Sequence, residues 1–171
     1  SQLVELPIGE YDFSLIRHFL FDFAEYLRFE MLVNSSYENL ANIAKKYKGE
    51  IKYHTMHANT WVSQLAQGNE ESKSRLQNQL NDVWNLALGI FEPGPHEGVL
   101  IDSGIFAGEE ALKAEWLSAI VPLLTKMGLI IPAESTWNPV YGGRTGEHSD
   151  HLQPLLDEMT EVYSIDPSAD W

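Results

Sequence analysis

Apolar residues recur along most of this chain at intervals of three and four, the period of helices that bury one side. The longest such stretch predicts a helix over 12–33, with Asp12 as its N-cap and Asn34-Ser35-Ser36 as its stop. Apolar positions surround it nearly completely, from Phe13, Leu15 and Ile16 through Phe19, Leu20, Phe21 and Phe23 to Leu27, Phe29, Met31 and Leu32. A helix apolar on all sides belongs in the middle of a bundle. Its stripe Leu15, Phe19, Asp22, Tyr26, Phe29 and Val33 places Asp22 among aromatic rings, and Glu25 follows on adjoining surface. A second helix is predicted over 36–67, with Ser36-x-x-Asn39 at its start, a kink or split at Gly49 and a stop at Gly68. A third covers 69–91, with Glu70 and Glu71 complementing the helix dipole and Leu76, Leu80, Val83, Trp84, Ala87 and Leu88 buried. Pro93-Gly94-Pro95 ends it, and residues 94–108 read as a loop with a short apolar insert, Val99-Leu100-Ile101. A fourth helix over 108–127 carries Leu112, Trp116, Ile120 and Leu123, and Pro122 is expected to kink or shorten it. Residues 128–147 are irregular, and a last helix covers 148–164, its regular part starting near His151 ahead of Pro154. With no convincing strand pair and no internal repeat, the chain reads as one all-α domain, 1–171.

The second helix holds the densest chemistry. Ile43, Tyr47, Glu50, His54, His57, Trp61 and Leu65 form one continuous stripe, apolar at its ends and polar in the middle. Facing a partner helix, such a stripe would bury a carboxylate and two imidazoles, which requires that they pair or ligate a metal. Ferritin-like di-iron proteins build their sites from a carboxylate on one helix and Glu-x-x-His on the next. Here Asp22 or Glu25 would supply the first and Glu50 opens the second, but Tyr53 stands where the pattern has His. His54 is one position late, about 40° from Glu50 around the helix. The competing reading is a buried carboxylate–histidine network that fixes helix register.

Composition narrows the classes. Of 171 residues, 44% are hydrophobic, enough for a packed core. Eleven basic and 25 acidic residues give a net charge of −14, which argues against nucleic acid and against an anionic membrane surface. No transmembrane stretch or signal peptide is visible. The absence of cysteine excludes disulfides, thiolate metal sites and a cysteine nucleophile, and fits a cytoplasmic protein.

A second constellation is Gly142-Gly143-Arg144-Thr145-Gly146-Glu147-His148-Ser149-Asp150-His151. Its glycines permit close backbone approach, and Arg144 could grip a carboxylate or phosphate. His148 and His151 could bind a metal, or cap and pair with neighbouring acids such as Glu147 and Asp150, in an interface or loop role. No phosphate-binding glycine loop or nucleophile elbow is present. Trp61, Trp84, Trp116 and Trp137 read as core or interface anchors, and Lys73-Ser74-Arg75 as a solvated face.

Taken together, several segments resemble the C-type subunit of the bacterial phenylacetyl-CoA epoxidases, multicomponent monooxygenases of phenylacetate degradation. They are Val4-Glu5-Leu6-Pro7, Ile16-Arg17-His18-Phe19-Leu20-Phe21-Asp22, Glu50 to His57 with Trp61, and Gly68-Asn69-Glu70-Glu71-Ser72. Gly142-Gly143-Arg144, the stretch from His148 to Met159 and the closing Pro167-Ser168-Ala169-Asp170-Trp171 complete the set. The resemblance implies a ferritin-like bundle and a structural subunit that supports a catalytic A-type partner. That partner would hold the di-iron centre, with no cofactor and no catalytic residue in this chain. Asp22, Glu25, Glu50, His54 and His57 would then be a vestige of such a site, and Arg144, His148 and His151 partner or loop contacts. The resemblance also implies two further N-terminal helices ahead of Ser1. Without them the bundle is incomplete and an oligomer, homo- or hetero-, would complete it. The alternative is an active di-iron oxygenase with Glu50 and His54 among its ligands. A third reading, a small-molecule binding module, draws on the apolar first helix and Arg144.

Overall fold

The structure is a computed structural model that describes residues 1–169. Asp170 and Trp171, the end of the closing motif, lie outside the described residues. Among the described residues the chain is all-α, with six α-helices, three short 3-10 turns and no strands, consistent with a ferritin-like helical fold. The helices are α1 (Tyr11–Leu32), α2 (Glu38–Ala66), α3 (Glu70–Leu88), α4 (Glu97–Asp102), α5 (Glu109–Lys126) and α6 (Leu152–Ile165). No helix among the described residues is long and apolar enough to cross a membrane.

The central helix is α1, packed chiefly on α2 and also on α3 and α5. Ile16, Phe19, Leu20 and Ala24 of α1 are fully enclosed, as its nearly continuous apolar surface requires. They meet Ala58 and Val62 of α2, Leu76, Leu80, Trp84 and Leu88 of α3, and Leu112, Trp116, Ile120 and Leu124 of α5. Trp84 packs on Trp116 with ring centroids 5.5 Å apart, and Phe91 meets Trp116 at 5.0 Å. The Trp116 indole N–H donates to the Leu20 carbonyl at 3.0 Å, so this large side chain enters the core with its polar atom satisfied.

Several boundaries differ from the sequence expectation. Glu10, not Asp12, is the N-cap of α1. Asp12 lies in the first turn, buried, where Arg75 of α3 grips it with Nη2 to Oδ1 at 3.1 Å and Nε to Oδ2 at 3.2 Å. Arg75 therefore is not simply part of a solvated charge run. Tyr37, with no side-chain cap, precedes α2, and Gly49 lies inside that helix without breaking it. Pro122 likewise sits within α5 on its exposed side. Residues 94–108 are not all loop, because α4 forms there and folds back over α1 and α5. A full capping box starts α3: Asn69 Oδ1 accepts from the Ser72 amide at 2.8 Å and Ser72 Oγ returns a bond to the Asn69 amide at 3.2 Å.

Candidate functional site

Two recesses lie on different sides of α1. The first, about 240 Å³, opens between α1 and α2. Buried Leu15 and Ala58 lie at its base, with His18, Asp22, Tyr53, His54 and His57 around it. His18 Nδ1 stands 3.5 Å from Asp22 Oδ2, one helical turn away. Thr55 ties the two helices together by donating its hydroxyl to the Ile51 carbonyl at 2.9 Å and the Asp22 carbonyl at 3.2 Å. Burial pushes the Asp22 carboxyl above the usual aspartate range, and the imidazoles of His18, His54 and His57 pull against that rise.

The sequence stripe and this recess only partly coincide. Glu50, His54, His57 and Trp61 are exposed, not enclosed by a partner helix, which corrects the expectation of a buried polar network in this chain. The seam of α2 that meets α1 is instead Ala41, Ala44, Thr55, Ala58, Val62 and Ala66. It lies one residue further on, about 100° around the helix. Small side chains let the two backbones approach, whereas the bulky stripe would hold them apart.

A metal centre needs several oxygen and nitrogen donors converging on one point. Among the described residues no three His, Asp or Glu side chains are grouped to hold an ion. Asp22, His54 and His57 share the recess, but exposed Glu50 lies outside it and Glu25 is committed to Arg28 on another side of α1. The residues present therefore do not fit a di-iron ligand set, and no reaction step is derived through one.

The second recess, about 420 Å³, lies between α1, α4 and α5 and brings Glu25 and Arg144 together with two charges that sequence reasoning did not single out, Arg28 and Glu109. Arg28 can lie largely buried on α1 because two carboxylates neutralise it. Its Nε lies 3.0 Å from Glu25 Oε1 and its Nη1 2.5 Å from Glu109 Oε1. Arg144 Nη2 reaches the same Glu109 oxygen at 2.7 Å, and the Arg144 amide donates to Glu92 Oε2 at 3.2 Å. Glu109 is only 3% exposed and occupies the first turn of α5, where the helix dipole favours an anion. Burial pulls down the Arg28 guanidinium, but Glu109 and Glu25 outweigh it and keep the group cationic. A buried arginine demands an acid partner, and Arg28 set between Leu27 and Phe29 was the signal available in the sequence.

The glycine-rich constellation folds into a tight loop. Gly142 has φ +113, and its carbonyl accepts from the Thr145 and Glu147 amides, both at 2.9 Å. A side chain there would meet Glu147 as well as backbone strain, so the glycine is required. His148 Nδ1 lies 2.9 Å from Glu5 Oε1, and the Ser149 amide donates to Glu5 Oε2 at 2.7 Å. Arg144 and His148 thus pair with the remote acids Glu109 and Glu5, not with the neighbouring Glu147 and Asp150. His151 is exposed and borders a groove between the start of α6 and residues 4–8.

Comparison with known proteins completes the picture. The family model described as phenylacetic acid catabolic protein matches residues 1–171. The C-type subunit of 1,2-phenylacetyl-CoA epoxidase from Escherichia coli (strain K12) is 27% identical over 169 residues, spanning 99% of this chain and 67% of that protein.

Proposed function

The chain belongs to the phenylacetic acid catabolic protein family, and from that premise we propose that it is the structural, non-catalytic subunit of a multicomponent 1,2-phenylacetyl-CoA epoxidase. It stabilises a catalytic A-type subunit that carries the di-iron centre, and it acts in the cytoplasm. The name of the Escherichia coli relative supports the complex. The observation that carries the non-catalytic role is the dispersal of the ligand candidates. Tyr53 takes the place of the second-helix histidine, Glu50 faces solvent outside the recess, and Arg28 holds Glu25. What is left in the α1–α2 recess is a half-buried aspartate ringed by three exposed histidines and a tyrosine. Such a surface suits contact with another protein better than oxygen chemistry, which needs water excluded.

Co-expression with an A-type subunit tests this directly. A complex that survives size-exclusion chromatography, with iron bound only when the A-type subunit is present, is the expected result. Iron at stoichiometric level in this chain purified alone, with oxidase activity lost in Glu50→Ala, would overturn it.

A further inference from the structure

The groove between the start of α6 and residues 4–8 measures about 710 Å³, within the range of small-molecule sites. Val4, Leu6 and Ile8 form one wall, and Leu155 and Met159 form the other. Val4, Ile8 and Met159 are exposed, so the groove presents aliphatic surface that the fold itself does not bury. Glu5 ties the two walls together by holding the His148 ring and the Ser149 amide just ahead of α6.

Arg17 of α1 also borders this groove. Its Nη1 donates to the Leu6 carbonyl at 2.6 Å and to the Pro7 carbonyl at 3.3 Å, and the guanidinium lies 5.1 Å from the centre of the Phe13 ring. These contacts orient the group but leave its charge unmatched. Among the described residues, Arg28, Arg75 and Arg144 each pair with a carboxylate, and Arg17 pairs with none. Burial pulls the Arg17 guanidinium below its ordinary value, and no carboxylate pulls it back. Nε and Nη2 have no partner, yet neither is sealed from solvent. These two groups share one edge of the planar guanidinium, the edge with which Arg75 holds both oxygens of Asp12. An open edge of this kind matches a carboxylate side-on, with two parallel hydrogen bonds. Glu158 borders the groove as well, so a second negative charge on the ligand would be repelled.

We propose that this groove binds a monocarboxylate with an aliphatic body, the carboxylate held by Nε and Nη2 of Arg17 and the body laid between the walls of Ile8 and Met159. The proposal rests on the groove alone and not on the epoxidase role.

Three probes with one aliphatic chain separate the possibilities: octanoate, octanol and octyl phosphate. Their head groups carry one negative charge, none and up to two. Titrated into the full ¹⁵N-labelled chain at neutral pH, octanoate is expected to shift the amides of Leu6, Ile8 and Leu155. Octanol and octyl phosphate should each bind about tenfold more weakly, the scale of a hydrogen bond to a charged group. Arg17→Gln removes the open edge and should bring octanoate down to the level of octanol. Met159 is 72% exposed, so Met159→Glu keeps the fold while setting a carboxylate against the ligand, and should also weaken octanoate. If circular dichroism shows that Arg17→Gln does not fold, Met159→Glu decides alone. Octanoate binding unchanged in the folded variants, octanol or octyl phosphate as tight as octanoate, shifts confined to α2, or no shift at millimolar octanoate would each overturn the proposal.

Discussion

Glu5 is 5% exposed, yet it carries a full set of partners in the His148 ring and the Ser149 amide. Burial alone would raise its carboxyl, and these hydrogen bonds more than reverse the rise, so it sits below the ordinary value of 4.5. A depressed acid stabilises the fold above its unfolded value, and that stabilisation is lost as the pH falls through the folded one. Glu5→Gln is therefore expected to lower stability at neutral pH by about 1 kcal/mol, a charged hydrogen bond discounted for the exposure of His148. Urea unfolding well below pH 4.5 should show the difference vanish, and a constant difference across that range would contradict the assignment. Asp22 is the opposite case. Its carboxyl is raised, so ionisation weakens the fold as the pH climbs through the raised value. Asp22→Asn should stabilise at neutral pH, by up to about 1 kcal/mol, the size of one polar desolvation. The gain should shrink as the pH falls through that raised value, where the Asp22 carboxyl is itself neutral. Thermal melts of the two proteins across that range check it. His54 and His57 were legible as a pair because helical spacing is arithmetic, whereas Asp22, on another helix, was set beside them only by the pattern of di-iron sites. The pairings Glu5–His148 and Arg144–Glu109 span 143 and 35 residues, and no local pattern encodes them.

Among the elements, the helices were legible wherever an apolar period was long and its ends were punctuated by glycine, proline or a capping residue. Two features misled. Gly49 and Pro122 weaken a helix locally, but each sits on the exposed side of an element whose other face is packed into the core, and packing outweighs propensity. The rotation of α2 was misread because large residues were weighted over small ones. Its buried seam is mostly alanine, which contributes by permitting close approach more than by the area it buries. A related close approach joins α3 to the irregular segment after α5. Asn85 holds that segment by accepting the Val140 amide on its backbone oxygen at 3.0 Å and the Asn138 amide on its side chain at 2.9 Å. Gly89 lies against the Val140 carbonyl so tightly that a Cβ there would collide with it. Because the obstacle is backbone, Gly89→Ala should cost about 2–3 kcal/mol, the scale of an overpacked core. The backbone of residues 137–140 should also detach, which faster hydrogen exchange at the Asn138 and Val140 amides would show. Unchanged exchange at those amides would mean that the contact yields at little cost.

At the scale of the whole molecule, the hydrophobic surface is unevenly covered. The core beneath α1 is closed, whereas the outer side of α2 shows Tyr53 at 67% and Met56 at 56% exposure. All of α6 contributes no buried residue, and Val162 and Ile165 are 61% and 81% exposed. A contiguous apolar face of this kind on a chain of net charge −14 is the usual mark of an assembly surface. Under the subunit reading, α6 is a natural place for contact with the A-type protein, since its apolar side is not engaged in holding this fold together. The double variant Val162→Glu, Ile165→Glu separates folding from assembly. Its unfolding free energy should stay within about 0.5 kcal/mol of the parent, as for surface changes. Its affinity for the A-type subunit should drop tenfold or more if these side chains are interface anchors. Urea denaturation and a binding titration on the same preparation give the two numbers. A variant that loses stability would show that α6 packs on the body of this chain. A variant that keeps both stability and affinity would leave the outer face of α2, with Trp61 and the recess histidines, as the surface through which the complex is built.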